Sequence, residues 1–474
     1  MSAPSDTDFN AEQAALLQRL ARLDDATVLW RMQSQGFWQG GLPPDPPEET
    51  AERAQINAQL AKLKASGLVN NNVEQALKEE RQRRFAASLE RRKQGKIERD
   101  ERAAQARTAW QERKASTVVF AGAGVSAGLN PSIQLTDGAK LRAAGLPVLS
   151  SPEGLAFAMG IEISCLRWLT FHRVAAPLVH YSRYSVPKKT GGQRHISAPK
   201  PKLKAAQAWV QREILAKLPV TEYAHGFVRQ RSSVSNAQQH CAQNMVINLD
   251  LKDFFPSISF VRVRELMVGF GYSRAVATLL ALLCTEPPRV AGTIAGDVHQ
   301  KVLHVAIGDR VLPQGACTSP ALSNLLCRSL DRRLAGIAKR LGFNYSRYAD
   351  DLTFSGPDRS LAGRMIAAAR RILSAEGFQE NVDKTHVMGQ GRRQEVTGIV
   401  VNHALPRLPR ETKRRLRAML HNVAKHGLDA ANHERHPFFA SYLRGWVAYA
   451  VMVEPTRREE WFTALNLALG VQGR

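Results

Sequence analysis

The sequence predicts an α+β protein, and three observations carry that expectation. Long runs rich in Ala, Glu, Arg, Gln and Leu, with almost no Pro or Gly, fill 11–30 and 48–114, a helical composition. Two strand-like segments, within 244–259 and 343–356, each carry carboxylates at a strand end or a turn. The tail, 403–474, returns to helical periodicity.

Composition bounds the rest. A chain of 474 residues exceeds one ordinary domain. No stretch of about twenty apolar residues suggests a membrane span, and MSAPSDTDFNAEQ has neither the basic start nor the apolar core of a secretory signal. Five cysteines without CxxC spacing argue against zinc or a disulfide framework and suit a reducing cytoplasm. Charge is more telling. The net is +24: residues 1–80 carry −5, 81–114 carry +7, and the body from 115 carries +22. Such an excess points to a polyanion partner, because neutralised phosphates release condensed counterions.

Taken in order, residues 1–115 read as a helical N-terminal extension, broken by GGLPPDPPEE at 40–49. Its run from Arg81 to Lys114 suits either a solvated charged helix or a contact for nucleic acid or a partner. The Gly/Ala/Ser stretch VVFAGAGVSAGLNPS lacks the spacing of a phosphate loop, so 116–145 is expected to be a linker. Residues 146–402 then form the main body.

Within it, NMVINLDLKDFFPSIS reads as a buried strand with Asp250 at its end. FNYSRYADDLTFSG reads as two short strands flanking a turn that carries Asp350 and Asp351. Alone, an Asp-Asp pair fits a solvated turn. A hairpin laid beside the first strand would gather three carboxylates, and buried like charges call for cations. Two magnesium ions on converging carboxylates are what phosphoryl transfer to a 3′-hydroxyl requires. Between the segments lies VLPQGACTSPALSNLLC, where Gly315 permits close backbone approach to a nucleotide and Ser319-Pro320 can open a helix.

Together these segments resemble reverse transcriptase motifs A and C with the intervening LPQG signature. The resemblance implies a right-hand polymerase, with fingers, a palm with an antiparallel sheet, and a helical thumb over 403–474. It implies Asp250, Asp350 and Asp351 as catalytic ligands of two Mg2+ ions, with the Leu251 carbonyl as an extra ligand. By the same resemblance Phe255 is the aromatic gate against a ribose 2′-hydroxyl, where the alternative is an ordinary core ring. Gln314 and Asn324 would line the incoming nucleotide and template base, where the alternative for Asn324 is a hydrogen bond within the palm. YSVPKKTGGQRHIS resembles the fingers, so Lys188, Lys189 and Arg194 are candidate triphosphate clamps. EGFQENVDKTHVM resembles motif D, making Lys384 a candidate general acid or else a surface lysine. In the tail, Arg410, Lys413, Arg414 and Arg417 share one helix face and Leu416, Met419, Leu420 and Val423 another.

Two further motifs narrow the family. NAQQH at 236–240 and VTG at 396–398 match hallmarks of retron reverse transcriptases, in a long form whose residues 1–115 lie outside the resemblance. That likeness implies a cognate structured non-coding RNA as partner, and Asn236, His240 and Thr397 as candidates for recognising it or else structural groups. It further implies an RNA template, deoxynucleotides, priming from a guanosine 2′-hydroxyl, a branched RNA–DNA product and a role in antiphage defence with an effector protein. Competing readings are a group II intron-like or diversity-generating enzyme, and a non-catalytic RNA-binding protein on a polymerase fold.

Overall fold

The computed structural model describes residues 25–37, 47–65, 73–130, 134–187, 191–293 and 302–470. The chain divides into two compact units, Met1–Thr108 and Ala109–Arg474. In the first, helices run over Asp25–Ser34 and Pro47–Ala65, and a third, Val73–Ser116, begins there and continues past the boundary. Good helix formers without proline sustain the third for 44 residues, although its surroundings bury almost none of it.

The second unit holds eleven strands among its described residues. They are β1 (Ala175–Ala176), β2 (Tyr181–Pro187), β3 (Gln193–Pro199), β4 (Met245–Asp250), β5 (Arg289–Thr293) and β6 (Val302–Ala306). β7 (Asn344–Tyr348), β8 (Asp351–Gly356), β9 (His386–Gly389), β10 (Glu395–Val396) and β11 (Ile399–Val400) follow. The central sheet is antiparallel, ordered β7-β8-β4-β9. β2 and β3 form a separate hairpin, and β1-β6-β5 a small third sheet.

Two apolar cores hold this unit. The larger joins the central sheet to the helices Phe260–Phe270, Arg274–Cys284 and Ser319–Leu326 through residues such as Ile247, Leu249, Met267, Leu280 and Leu322. The smaller gathers Leu416, Leu420 and Val423 of helix Arg410–His426 with Leu443, Val447, Trp461 and Leu465 of the two C-terminal helices, Phe439–Val453 and Arg458–Leu469. Val396 and Ile399 of the β10–β11 hairpin and Val246 of β4 belong to it too, so the helical tail is seated on the rear of the sheet. This is the expected α+β right-hand arrangement: a sheet palm, a hairpin finger region and a helical thumb.

Two expectations need correction. The segment 116–145 is not a linker where it is described. Val118, Ala121, Val125, Leu129 and Leu141 are buried in the larger core, because a stretch of small residues packs closely against the Arg274–Cys284 helix. On the thumb, Lys413 is not part of a free basic face. Its Nζ lies 2.7 Å from Oε1 of the buried Glu454, which also accepts from the Leu408 amide, and this half-buried pair staples the helix down. Arg417 pairs with Glu460, which leaves Arg410 and Arg414 as the exposed cations of that face that make no ion pair. No helix among the described residues is long and apolar enough to cross a membrane.

Candidate active site

β4 is a strand because Met245, Val246, Ile247 and Leu249 are buried between β8 and β9, where apolar and β-branched side chains pack well. Its last residue, Asp250, stands across from Asp351, the first residue of β8. The Tyr348–Asp351 pairing leaves Ala349 and Asp350 as a two-residue turn. Ala349 is held at φ 58°, a left-handed backbone that costs about 1–3 kcal/mol away from glycine. The amide of Leu251 donates to the Asp350 carbonyl at 3.0 Å, tying the turn to the end of β4. All three predicted carboxylates therefore come to the same end of the two central strands, β4 and β8.

Their environment resists negative charge. Burial, then the charges of Asp350 and Asp250, push Asp351 up to about 7. Burial and Asp250 likewise raise Asp350, while Lys384 and Arg194 pull against that rise. Lys384 Nζ lies 3.1 Å from each carboxylate oxygen of Asp250, and Asn381 Nδ2 donates to one of them at 3.3 Å. Among the described residues no three His, Cys, Asp or Glu side chains stand as a finished cation cage, and the positive charge on Asp250 is an ammonium.

The remaining candidates divide. Arg194 is exposed on β3, close enough for its charge to act on Asp350. Lys188 and Lys189 lie outside the described residues. Phe255 is half-buried, its ring 5.4 Å from Phe254 and 6.2 Å from Phe227, while Phe254 is the core ring. The Gln314 carbonyl accepts from the Ser197 amide at 2.7 Å, and its side-chain amide makes no hydrogen bond among the described residues. Gly315 has another reason than nucleotide approach. At φ 119°, an added Cβ would stand 2.9 Å from the Ser197 carbonyl of β3. Thr318 rather than Ser319 stands at the N-cap position, without a capping hydrogen bond from its side chain, and the Ser319 hydroxyl donates to the Pro313 carbonyl.

Asn324, Asn236 and His240 are buried, which fits the structural one of the two readings open for each. Asn324 donates to the Gly226 carbonyl and accepts from Arg347, so it bonds within the palm. Asn236 accepts from Ser346 Oγ at 2.7 Å, and both His240 nitrogens meet serine hydroxyls, Ser355 and Ser346, at 2.7 Å. Asn236 and His240 have no exposed surface, so neither can touch an RNA from there; they brace β7 and β8. Burial pushes His240 down to about 3, so it is neutral. Thr397 is different. It sits partly exposed at φ 49° in the β10–β11 turn with Gly398, its hydroxyl donating to the Ser233 carbonyl at 3.2 Å.

Sequence reasoning missed what holds the turn. Arg347, one residue before Tyr348, is fully buried and grips Asp331 with two bonds of 2.7 and 2.9 Å. Its third nitrogen donates to Asn324 at 2.9 Å and to the Ala349 carbonyl at 3.2 Å, while Tyr345 and Thr221 complete Asp331. Gly226 lies under the same turn, where an added Cβ would meet the Ala349 nitrogen at 2.6 Å. No local signal marked it: Tyr345, Ser346 and Arg347 are buried in succession, so both faces of β7 are internal and its pattern does not single out the arginine.

Comparison with known proteins agrees with this geometry. A family profile described as reverse transcriptase (RNA-dependent DNA polymerase) matches residues 186–401. The chain is 41% identical over 392 residues to the retron Mx162 reverse transcriptase of Myxococcus xanthus, covering 78% of this chain and 79% of that one. It is 43% identical to the retron Mx65 enzyme of the same organism over 353 residues, 74% and 80% of the two chains. Against the retron Ec86 reverse transcriptase of Escherichia coli the identity is 30%, covering 69% of this chain and 92% of the relative.

Proposed function

Since this chain belongs to the retron reverse transcriptases, which are RNA-directed DNA polymerases, we propose that it copies part of a cognate structured non-coding RNA into DNA, starting from the 2′-hydroxyl of a guanosine in that RNA and leaving a branched RNA–DNA hybrid. The observation that carries the chemistry is the register that sets Asp250 across from Asp351, beside Asp350. Hard carboxylate oxygens converging from paired strands, with carboxyl pKa values raised by burial and mutual repulsion, suit a divalent cation. Asp250, Asp350 and Asp351 would hold two Mg2+ ions. Bound there, such ions neutralise charge on the attacking and leaving oxygens of phosphoryl transfer.

The chain's own groups do the rest. Arg194, with Lys188, clamps the triphosphate of the incoming deoxynucleotide through charge-assisted hydrogen bonds. Lys384, whose ammonium already lies on Asp250, acts as general acid toward the leaving pyrophosphate. Gln314, with its amide unbonded, contacts the nucleotide. Arg410 and Arg414 face the template–product duplex.

Phe255 sets sugar choice. Phe255→Ala opens space beneath the 2′ position, so ribonucleotide incorporation rises relative to deoxyribonucleotide. A site loses about 1–3 kcal/mol of discrimination per deleted apolar contact, or roughly ten- to a hundredfold in the ratio. Single-nucleotide extension reads it, and an unchanged ratio assigns Phe255 to core packing.

Thr397 retains the proposed role in orienting the cognate RNA, since its turn is partly exposed on the hairpin that seats the thumb. Thr397→Ala therefore slows initiation from the internal 2′-hydroxyl about tenfold, the loss of a hydrogen bond or so, while extension of an annealed primer survives. Asn236→Ala lowers both activities together, because it uncouples β7 from its brace. Equal losses of initiation and of primer extension in Thr397→Ala would remove Thr397 from recognition.

A role in antiphage defence with an effector partner follows from the same reading, and five free cysteines suit a reducing cytoplasm. The deciding experiment is to sequence nucleic acid that copurifies with the protein. DNA joined 2′–5′ to an RNA is the expected result, and a linear DNA product alone overturns the branched-product reading.

A further inference from the structure

The long helix Val73–Ser116 divides its charges by face. At 3.6 residues per turn, nine of the eleven cations between Lys78 and Arg107 fall within about 80° of the direction of Arg99. They include Arg81, Arg84, Arg92, Lys96, Arg99 and Arg107. All six acids of that span, among them Glu79, Glu90, Glu98 and Glu101, fall on the remaining circumference. Every one of these cations is exposed. Arg84 pairs with Glu80 and Arg102 with Glu98 at the border between the faces, but Arg81, Arg92, Lys96 and Arg107 make no ion pair among the described residues. Phe85 and Leu89 lie on the basic side, 69% and 41% exposed.

Helix stability does not explain this segregation. A solvated helix gains from alternating charges at i,i+4, and the stripe does the opposite: Arg92 with Lys96, and Lys96 with Arg99, are like charges at neighbouring positions. Burial does not explain it either, since among the described residues none covers these cations. A one-sided row of cations about 44 Å long, with exposed apolar groups interleaved, is complementary to a polyanion laid along it. In an enzyme that works on an RNA template, the fitting polyanion is an A-form duplex. Its wide, shallow minor groove offers phosphates, 2′-hydroxyls and base edges to a straight helix.

We propose that the Lys78–Arg107 face of this helix is a docking surface for the double-stranded part of an RNA, separate from the polymerase site. It rests on the RNA-directed activity of the family and on no particular cognate RNA. Binding is electrostatic and read by shape, so each cation removed lowers the salt dependence without changing sequence preference.

The test uses the full-length protein and a hairpin RNA with a long uninterrupted stem, with affinity measured across a potassium chloride series. Arg92→Gln, Lys96→Gln and Arg99→Gln combined should reduce the slope of log affinity against log salt by about three and weaken binding at low salt about tenfold or more. Extension of a short annealed primer should stay at the wild-type rate, and circular dichroism should show unchanged helix. Glu79→Gln with Glu101→Gln, on the other face and in no ion pair with the described cations, should leave the slope unchanged. An unchanged slope in the triple variant overturns the proposal and leaves the face for an acidic protein. An equal loss on a DNA duplex of the same sequence overturns the choice of RNA.

Discussion

Asp350→Asn protein should bind structured RNA with near wild-type affinity and make almost no DNA. The substitution keeps the shape of the side chain in the Ala349–Asp350 turn and removes one anionic oxygen from the meeting point of β4 and β8. It touches no cation that faces phosphate, so the salt-dependent part of RNA binding is preserved. The charge stabilisation lost from phosphoryl transfer is several kcal/mol, about a hundred- to ten-thousandfold in rate. A second reading separates this loss from misfolding. Asp350 is buried beside like charges that raise its pKa, so neutralising it relieves repulsion, and melting temperature without divalent metal should hold or rise. Wild-type polymerisation under magnesium would remove Asp350 from the metal site.

Arg347→Met should cost about 3–5 kcal/mol of stability, a large share of the roughly 5–15 kcal/mol that holds a typical domain. Arg347 and Asp331 are both fully buried, and removing the guanidinium leaves a desolvated carboxylate with only Tyr345 and Thr221 to satisfy it. The bonds to Asn324 and to the Ala349 carbonyl disappear as well, freeing the turn that carries Asp350. The urea midpoint reads the stability. Pairing Arg347→Met with Asp331→Leu should recover much of it, because an apolar pair of similar volume avoids the orphaned charge. Activity should not recover with it, since the hydrogen bond to Ala349 stays lost. Full recovery of activity in the double variant would show that Arg347 serves the fold alone.

Legibility of the site followed the range of the interactions. Asp250 at a strand end and Asp350 and Asp351 at a two-residue turn and the strand that leaves it are short-range features, and the run of apolar residues in β4 announced the strand. Asp331 read as one more charge on a helix that also carries Arg328, Arg332 and Arg333, and nothing local distinguished it from them. The Gly- and Ala-rich run at 118–129 read as a linker because small side chains carry little hydrophobic signal of their own; Ala121 and Val125 become core residues only when helix Arg274–Cys284 lies against them. NAQQH read equally as recognition or structure. Only the distance from Asn236 and His240 to Ser346 and Ser355, more than a hundred residues away in the chain, separated the two.

The sequence by itself determined the α+β class, the carboxylate triad, the family and the basic character of the protein. Each is written in periodicity, turn chemistry or net charge within short windows. Tertiary structure alone decided which polar side chains face outward and which are spent inside. Lys413, Asn324, Asn236 and His240 are chemically able to contact nucleic acid, yet each is consumed by a partner brought to it by the fold. The physical reason is that a buried polar group must be hydrogen-bonded, and its partner is set by packing between distant elements, which no local pattern encodes.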